Sequence, residues 1–477
     1  MEPIIQKRTK IVATIGPASR DPAIMRSLFV CGANVIRLNF SHGTPAEHAE
    51  VIRDARAIAA ELGIQCALLQ DLPGPKVRTG KLAGDPASIH LARGSRFIVT
   101  VDDVEGTSER VSTSYRDLAA DVAIGNRLYL QDGQITLRIV GKSATDIETV
   151  VEAGGDLRAS QGISYPDGTL NVAAVTDRDL EFLEFGIEHG VDYVALSFVR
   201  SAGDVVRAKA FITKLGAQVP VIAKIEKHEA LEDLAAIIKA SDGIMVARGD
   251  LGIEIPIETV PIVQKRIIAE CNRSGKPVVT ATQMLESMIG SSRPTRAEVT
   301  DVANAIFDGT DAVMLSGETA IGRYPTEAVR MMAEIAREAE RAYPHAALRD
   351  RRLDDAEPAI AASIAEAATR ASAELEIPYI VTGTTTGSTA HHIAAFRPKA
   401  RIVALTPDPA VARRLSLVWG TESLVIDPYN SIDVLLYMAQ REMVRAGLVS
   451  AGDLIAFITG IPVGAGGTNV LKIHQIT

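Results

Sequence analysis

The sequence predicts an α/β protein: a (β/α)8 TIM barrel with a small β-barrel lid domain inserted in it and an open α/β domain after it. Three observations carry this. Eight short β-branched runs recur between residues 10 and 340, each followed by a helix-compatible stretch or, after the third, by an insertion. The insertion, residues 75–171, alternates apolar and polar residues between Gly and Asp turns. A charged stretch, 349–357, then reads as a linker to a second α/β series. The expected domains are therefore 1–74 with 172–345 (barrel), 75–171 (lid) and 346–477 (C-terminal).

The eight barrel runs are 10–15, 34–39, 66–71, 193–198, 221–226, 243–246, 277–282 and 312–316. Within the insertion, strands are expected at 97–101, 127–130 and 135–140. Because it interrupts the barrel after the third strand, at the rim where such barrels build their sites, it is placed to act as a lid. Its hinges are expected near 73–75 and 166–168. The C-terminal series opens with an Ala-rich helix at 359–374, and strands follow at 379–382, 401–405, 423–426, 454–459 and 470–474.

Composition narrows the function. A chain of 477 residues with 47% hydrophobic and 23% charged side chains builds several cores and is not disordered. Fifty basic against fifty-nine acidic residues, net charge -9, argue against a general nucleic-acid or anionic-membrane surface. Cys31, Cys66 and Cys271 lack Cys-x-x-Cys spacing, so neither a disulfide framework nor a zinc cluster is expected, and reduced thiols in a cytoplasm fit best. The apolar run 11–15 is far too short to span a bilayer, and no signal-peptide pattern precedes it, so neither export nor membrane insertion is expected.

A barrel enzyme should carry polar residues at several strand ends. Strand two ends in Arg37, Asn39, Ser41 and His42; strand three in Asp71; strand four in Ser197; strand five in Lys224 and Glu226. Asp250 follows strand six, Thr282 ends strand seven, and Ser316 and Glu318 follow strand eight. Glu226 and Asp250 follow adjacent strands and suit a hard divalent cation, Mg2+ or Mn2+, a surface salt bridge being the plain alternative. Lys224, two residues before Glu226, faces the same cavity, where an ammonium stabilises an enolate or a phosphoryl group in transfer. Arg37, and Arg78 at the lid entrance, offer forks for phosphate or carboxylate. Gly249 and Gly252, where the chain leaves strand six, permit close backbone approach to an anion. The Thr282 hydroxyl can relay a proton. These residues leave two chemistries open, phosphoryl transfer and aldol-type enolate chemistry.

Residues 8–19, 34–43, 224–226, 245–252, 281–288 and 314–320 match, in order, the motifs of one family. Over essentially its full length the chain resembles pyruvate kinases. The resemblance implies Mg2+-dependent phosphoryl transfer from phosphoenolpyruvate to ADP, giving ATP, then protonation of enolpyruvate to pyruvate. It implies that Glu226 and Asp250 hold the metal, Lys224 stabilises the phosphoryl group and the enolate, and Arg37 and Arg78 grip phosphate. Thr282 assists protonation, N–H groups around Gly249 and Asp250 hold the substrate carboxylate, Pro17 and His42 border the nucleotide, and Asp132 approaches from the lid. It also implies a homotetramer. A pyruvate-enolate lyase or aldolase, and a catalytically silent sugar-phosphate-binding regulator, are the alternatives on the same scaffold.

Two departures from the family pattern are informative. Lys76 stands where K+-requiring members carry Glu, and Leu72 replaces a Thr. An ammonium in place of K+ near Asn39, Ser41 and Asp71 implies that K+ is not required. Gln161 replaces a lid lysine that approaches the nucleotide phosphates, which implies weaker ADP binding. In the C-terminal domain, Thr382, Thr384, Thr385, Thr386, Gly387, Ser388 and Thr389 join a strand to a helix with the composition that seats a phosphate. This resembles the family's effector loop, for a sugar phosphate or AMP, with residues 464–467 resembling the segment that folds over it.

Overall fold

The computed structural model describes residues 4–84, 88–345, 359–460 and 467–477. The expected linker at 349–357 and residues 464–466 lie outside them. Eight parallel strands close into a barrel: Lys10–Thr14, Val35–Asn39, Ala67–Asp71, Tyr193–Leu196, Val221–Ile225, Gly243–Ala247, Val278–Ala281 and Ala312–Leu315. Each run is short, apolar and buried on both faces, as a strand between a packed interior and a helical shell must be. Side chains alternate faces with period two, so one set points inward. Val12, Val35, Leu69, Tyr193, Ile222, Met245, Val279 and Met314 belong to this inner core. Two residues further along the same lanes come Thr14, Arg37, Asp71, Lys224 and Ser316, so the apolar plug gives way to a polar layer at the C-terminal rim.

The shell helices begin and end where local chemistry dictates. Pro45–Leu62, for example, starts at a reciprocal capping box between Thr44 and Glu47 and stops at Gly63, whose φ of 66° suits glycine. Its face of Ile52, Ala55, Ile58, Ala59 and Leu62 packs into the barrel's outer core.

The insertion has its own core, from Val77 to Tyr165. A six-stranded sheet contains Arg96–Thr100, Arg110–Ser112, Arg127–Leu130, Ile135–Lys142, Asp146–Ala153 and Ile163–Ser164, and Ile89–Leu91 pairs with Gly155–Leu157 as a ribbon. Arg78 bridges to Gly162 at one edge of the sheet and Thr79 to Thr113 at the other, which rolls it closed. Residues 166–168 belong to this body, because Asp167 accepts from Asn126 and from the Arg127 N–H. The return crossing is anchored further on, where Arg200 donates to the carbonyls of Leu170 and Val172, each at 2.6 Å.

The C-terminal domain is an open sheet of Tyr379–Gly383, Arg401–Thr406, Thr421–Val425 and Leu454–Thr459 in parallel, with Val470–Gln475 antiparallel at one edge. Its cores lie on both faces of the sheet. It seats against the N-terminal mouth of the barrel, where Leu417 joins the inner core. Two acids just ahead of barrel strands receive it. Arg413 Nε lies 2.9 Å from Asp192 Oδ1, and Arg397 Nη1 lies 2.9 Å from Asp311 Oδ1, with side chains only 3% and 5% exposed in the second pair. Arg397 also stacks 5.1 Å from the Trp419 ring. Cys31, Cys66 and Cys271 are buried free thiols. Among the described residues no helix is long and apolar enough to cross a membrane.

Removing one partner of a buried ion pair strands the other. Arg397→Ala is expected to lose about 3–5 kcal/mol from the unfolding step that exposes this interface. Trp419 is the chain's single tryptophan, so its fluorescence during urea unfolding reads that step directly.

Candidate active site

Strand register brings the rim residues together: Asp71 lies opposite Asn39 on one side and Ala195 on the other, and Lys224 lies opposite Met245. Arg37 Nε donates to Asp71 Oδ2 at 2.6 Å, and Arg37 Nη1 donates to Thr14 Oγ1 at 2.9 Å. From the far side Lys224 Nζ reaches Asp71 Oδ1 at 3.2 Å, Glu226 Oε1 at 2.9 Å and Ser197 Oγ at 2.7 Å. Glu226 Oε2 accepts from the Phe198 N–H at 2.8 Å. Two cations and two carboxylates are thus interleaved in a nearly dry layer.

Burial opposes every charge here, and the neighbours decide the outcome. Burial raises the Asp71 carboxyl, but Arg37 and Lys224 outweigh it and hold the group below its ordinary range. Burial alone would lower the Lys224 ammonium, yet Asp71 and Glu226 raise it. Glu226 moves upward: burial raises it, Lys224 opposes, and nearby Asp250 pushes it up again. Glu226 and Asp250 are thus two neighbouring carboxylates, the first paired with Lys224 and the second facing Lys76 at 3.8 Å. Their hard oxygen donors fit a divalent cation, with other coordination positions left to substrate and water.

Asp250 sits in the first turn of the helix Arg248–Glu254, directly after strand six. The Gly249 N–H, which has no partner within the helix, donates to Thr282 Oγ1 at 2.8 Å. Thr282 and Gln283 take left-handed backbone angles, φ 67° and 55°. Lys76 lies 3.8 Å from Asp250 Oδ1. Among the described residues it makes no ion pair with Asp71 and no hydrogen bond to Asn39 or Ser41, so the expected location of its ammonium is corrected. The chain runs outward from buried Leu72 over Gly74, and this carries Lys76 across to the strand-six side of the cleft.

The remaining expected residues spread around this centre. Arg78 belongs to the insertion and donates to the Ser160 carbonyl at 3.1 Å rather than to any rim carboxylate. Asn39 Oδ1 accepts from the Ser41 N–H; Ser41, His42 and Pro17 are exposed on the barrel rim. Asp132 is exposed on the insertion at φ 54°, and the Gln161 amide donates to the Ala159 carbonyl. Insertion and barrel enclose a cleft lined by Lys76, Tyr165, Phe198, Arg200, Lys227 and Asp250. Sequence reasoning missed the network beside it, where Lys227 Nζ lies 2.6 Å from Glu254 Oε1 and His228 Nδ1 lies 3.3 Å from both Glu229 and Glu254. The dense charge of residues 226–229 was its available signal. In the C-terminal domain Thr385, Thr386 and Ser388 are exposed at the start of the helix Ser388–Ala395, whereas Thr382, Thr384 and Thr389 are buried. The Gly387 N–H donates to Thr384 Oγ1 at 2.8 Å, and Thr389 pairs with Thr468.

Fold and site define a class, a (β/α)8-barrel enzyme whose rim pairs buried cations with metal-competent carboxylates under an inserted β domain. Comparison with known proteins narrows it. Residues 6–329 match the family model described as pyruvate kinase, barrel domain, and residues 362–474 the one described as pyruvate kinase, alpha/beta domain. Pyruvate kinase of Geobacillus stearothermophilus is 44% identical over 99% of this chain and 81% of its own length. Pyruvate kinase 2 of Synechocystis is 46% identical over 99% and 80%. A crystal structure of a Cryptosporidium parvum pyruvate kinase has a TM-score of 0.93 at 34% identity, covering 99% of this chain and 96% of its own. The chain belongs to the pyruvate kinase family, and is a phosphotransferase of phosphoenolpyruvate and ADP.

A carboxyl whose folded pKa lies below its unfolded value contributes fully above the ordinary carboxylate range and is lost as pH falls through the lowered value. Asp71 is such a group. Lys224→Met leaves it Arg37 alone, so acid unfolding followed by far-ultraviolet circular dichroism is expected to begin at a higher pH than in the parent.

Proposed function

We propose that the rim performs the transfer with Mg2+ held by Glu226 and Asp250, and without K+. The observation that carries this reading is Lys224, which touches both Asp71 and Glu226. Its ammonium is fixed before substrate arrives, so it can stabilise charge on the phosphoryl oxygens and then on the enolate without reorganising. Arg37, whose fork is held by Asp71 and Thr14, keeps a positive charge on the rim for phosphate, and Arg78 approaches from the insertion. Bound at the two carboxylates, Mg2+ would supply Lewis-acid stabilisation of negative oxygens. The backbone around Gly249 and Asp250 orients the substrate carboxylate, through the Asp250 N–H because that of Gly249 is held by Thr282 Oγ1; Pro17 and His42 border the nucleotide, Asp132 approaches from the insertion, and Thr282 serves the proton step.

The reading of K+ independence rests on Lys76 only as a permanent positive charge on the cleft, since it lies 3.8 Å from Asp250 and not beside Asn39, Ser41 and Asp71. The assay is ATP and pyruvate formation from phosphoenolpyruvate and ADP with Mg2+, run with K+ and with K+ replaced by a bulky organic cation. Equal activity in both is expected. Activity only with K+ would discard the Lys76 reading and keep the enzyme. Lys76→Glu should create a K+ requirement, and Lys224→Met should lower turnover by at least about 10²–10³-fold.

The exposed hydroxyls of Thr385, Thr386 and Ser388 support an effector phosphate site at their helix start, for a sugar phosphate or AMP. Titrating such compounds should shift the response to phosphoenolpyruvate; a flat response to the whole set would remove the site. Exposed Ile257 and Ile262 on the barrel and Tyr437 on the C-terminal domain are apolar surface that a homotetramer would cover.

A further inference from the structure

Arg248 occupies the junction between strand six and the helix that carries Asp250, yet its side chain turns away from the cleft. Its Nη2 donates to the Thr282 carbonyl at 2.8 Å and its Nε to the Ala281 carbonyl at 3.3 Å. At the other end of the fork, Nη1 donates to Asp301 Oδ1 at 2.8 Å and to Gln264 Oε1 at 3.3 Å. These acceptors stand on the shell helices Arg296–Asp308 and Val260–Arg273. The guanidinium therefore ties the end of strand seven to two fixed helices.

That end needs holding. Thr282, β-branched, and Gln283 both have left-handed backbone angles, which persist only where surrounding contacts over-determine them. The main chain next to Arg248 grips the side chain as well, through the Gly249 N–H on Thr282 Oγ1. Thr282 Oγ1 in turn donates to the Ala281 carbonyl at 2.6 Å, the carbonyl Arg248 Nε also engages. That oxygen accepts both bonds, so the hydroxyl and the guanidinium are held against one another through it.

We propose that Arg248 is a positioning residue for the proton step, fixing the strained turn so that the Thr282 hydroxyl is held in place at the end of strand seven. The inference rests on the reading of Thr282 as the group serving that step. There the C2–C3 electron pair of the pyruvate enolate takes a proton at C3 from Thr282 Oγ1, or from a water it orients, and the C2 enolate oxygen becomes a carbonyl. The threonine regains its proton from solvent. A lysine cannot reproduce the planar fork that spans both carbonyls and Asp301.

The test is the reverse half of this step, exchange of pyruvate methyl protons into deuterated water with Mg2+ and ATP present, followed by proton NMR. Thr282→Ala is expected to slow exchange about 10²-fold and Arg248→Lys about tenfold, with the KM for phosphoenolpyruvate changed by less than about twofold in Arg248→Lys. The double variant should match Thr282→Ala alone, because Arg248 acts through the hydroxyl. Exchange in Arg248→Lys equal to the parent's, or losses that multiply in the double variant, would overturn the positioning role while leaving Thr282 in place. Unchanged exchange in Thr282→Ala would remove the underlying reading and the proposal with it. Should Arg248→Lys not fold, Asp301→Asn releases the outer anchor at a half-exposed position, with about threefold slower exchange expected and parental exchange counting against the proposal.

Discussion

Asp71 is the group on which the rest of the rim depends. Its carboxylate is 2% exposed, where an uncompensated charge is costed at several kcal/mol. Arg37 from strand two and Lys224 from strand five must therefore turn into the barrel, and Lys224 is shared with Glu226. Two cations answer the two deeply buried carboxylates. Asp250 stands on the open side, beside a Glu226 whose proton affinity is already raised. Asp250 meets only the Lys76 ammonium, at 3.8 Å, so the carboxylates at the edge of the cluster are the ones open to a divalent cation.

The opposite mouth of the barrel uses the same device for a different end. Asp192 and Asp311 stand immediately before strands four and eight and accept Arg413 and Arg397 from the C-terminal domain. Asp192 also accepts from Arg56 and from the Leu68 N–H, and Asp311 accepts from the Val278 N–H. The acids that dock the domain thus also fix where strands three and seven begin. Leu417 completes the apolar plug between the two polar ends. The docking pairs of the C-terminal domain are thus joined to strands whose far ends lead to Asp71 and Thr282.

Most of this was legible in the chain because it rests on period and order. The barrel runs stand out as β-branched segments spaced by helices, and the inward lane can be counted in twos from Val35 to Arg37 and Asn39. Period fails where elements are short. Ile89–Leu91 and Gly155–Leu157 have three residues each, too few to show alternation. Asp146–Ala153 does alternate, with Ile147, Thr149 and Val151 buried between acids at 146, 148 and 152, and was not among the strands singled out. Lys76 was misplaced for another reason: a flexible four-carbon stem takes its position from where the chain crosses, and no local pattern encodes that. Arg248 was hidden inside a glycine-rich turn, and its partners lie 16 to 53 residues away on three separate elements.

Backbone strain gives an independent view of where the molecule is committed to chemistry. Eight described non-glycine residues have left-handed angles, and Phe198, Thr282 and Gln283 lie at the C-terminal rim of the barrel. Gln131, Asp132 and Ser160 lie in the insertion, where Ser160 receives Arg78 and Asp132 stands near the Lys76 side of the cleft. Such angles cost about 1–3 kcal/mol each and survive only where contacts enforce them. At Phe198 the enforcing contact is its N–H on Glu226; at Thr282 it is the Arg248 fork. At Phe198 and Thr282 the strained turn is thus held by a charged side chain, so relaxing it would displace that charge, whereas Glu376 and Arg397 carry the same angles in the C-terminal domain, away from the rim. The strain and the buried ion cluster stabilise one arrangement between them, and the cleft keeps its geometry before any substrate enters.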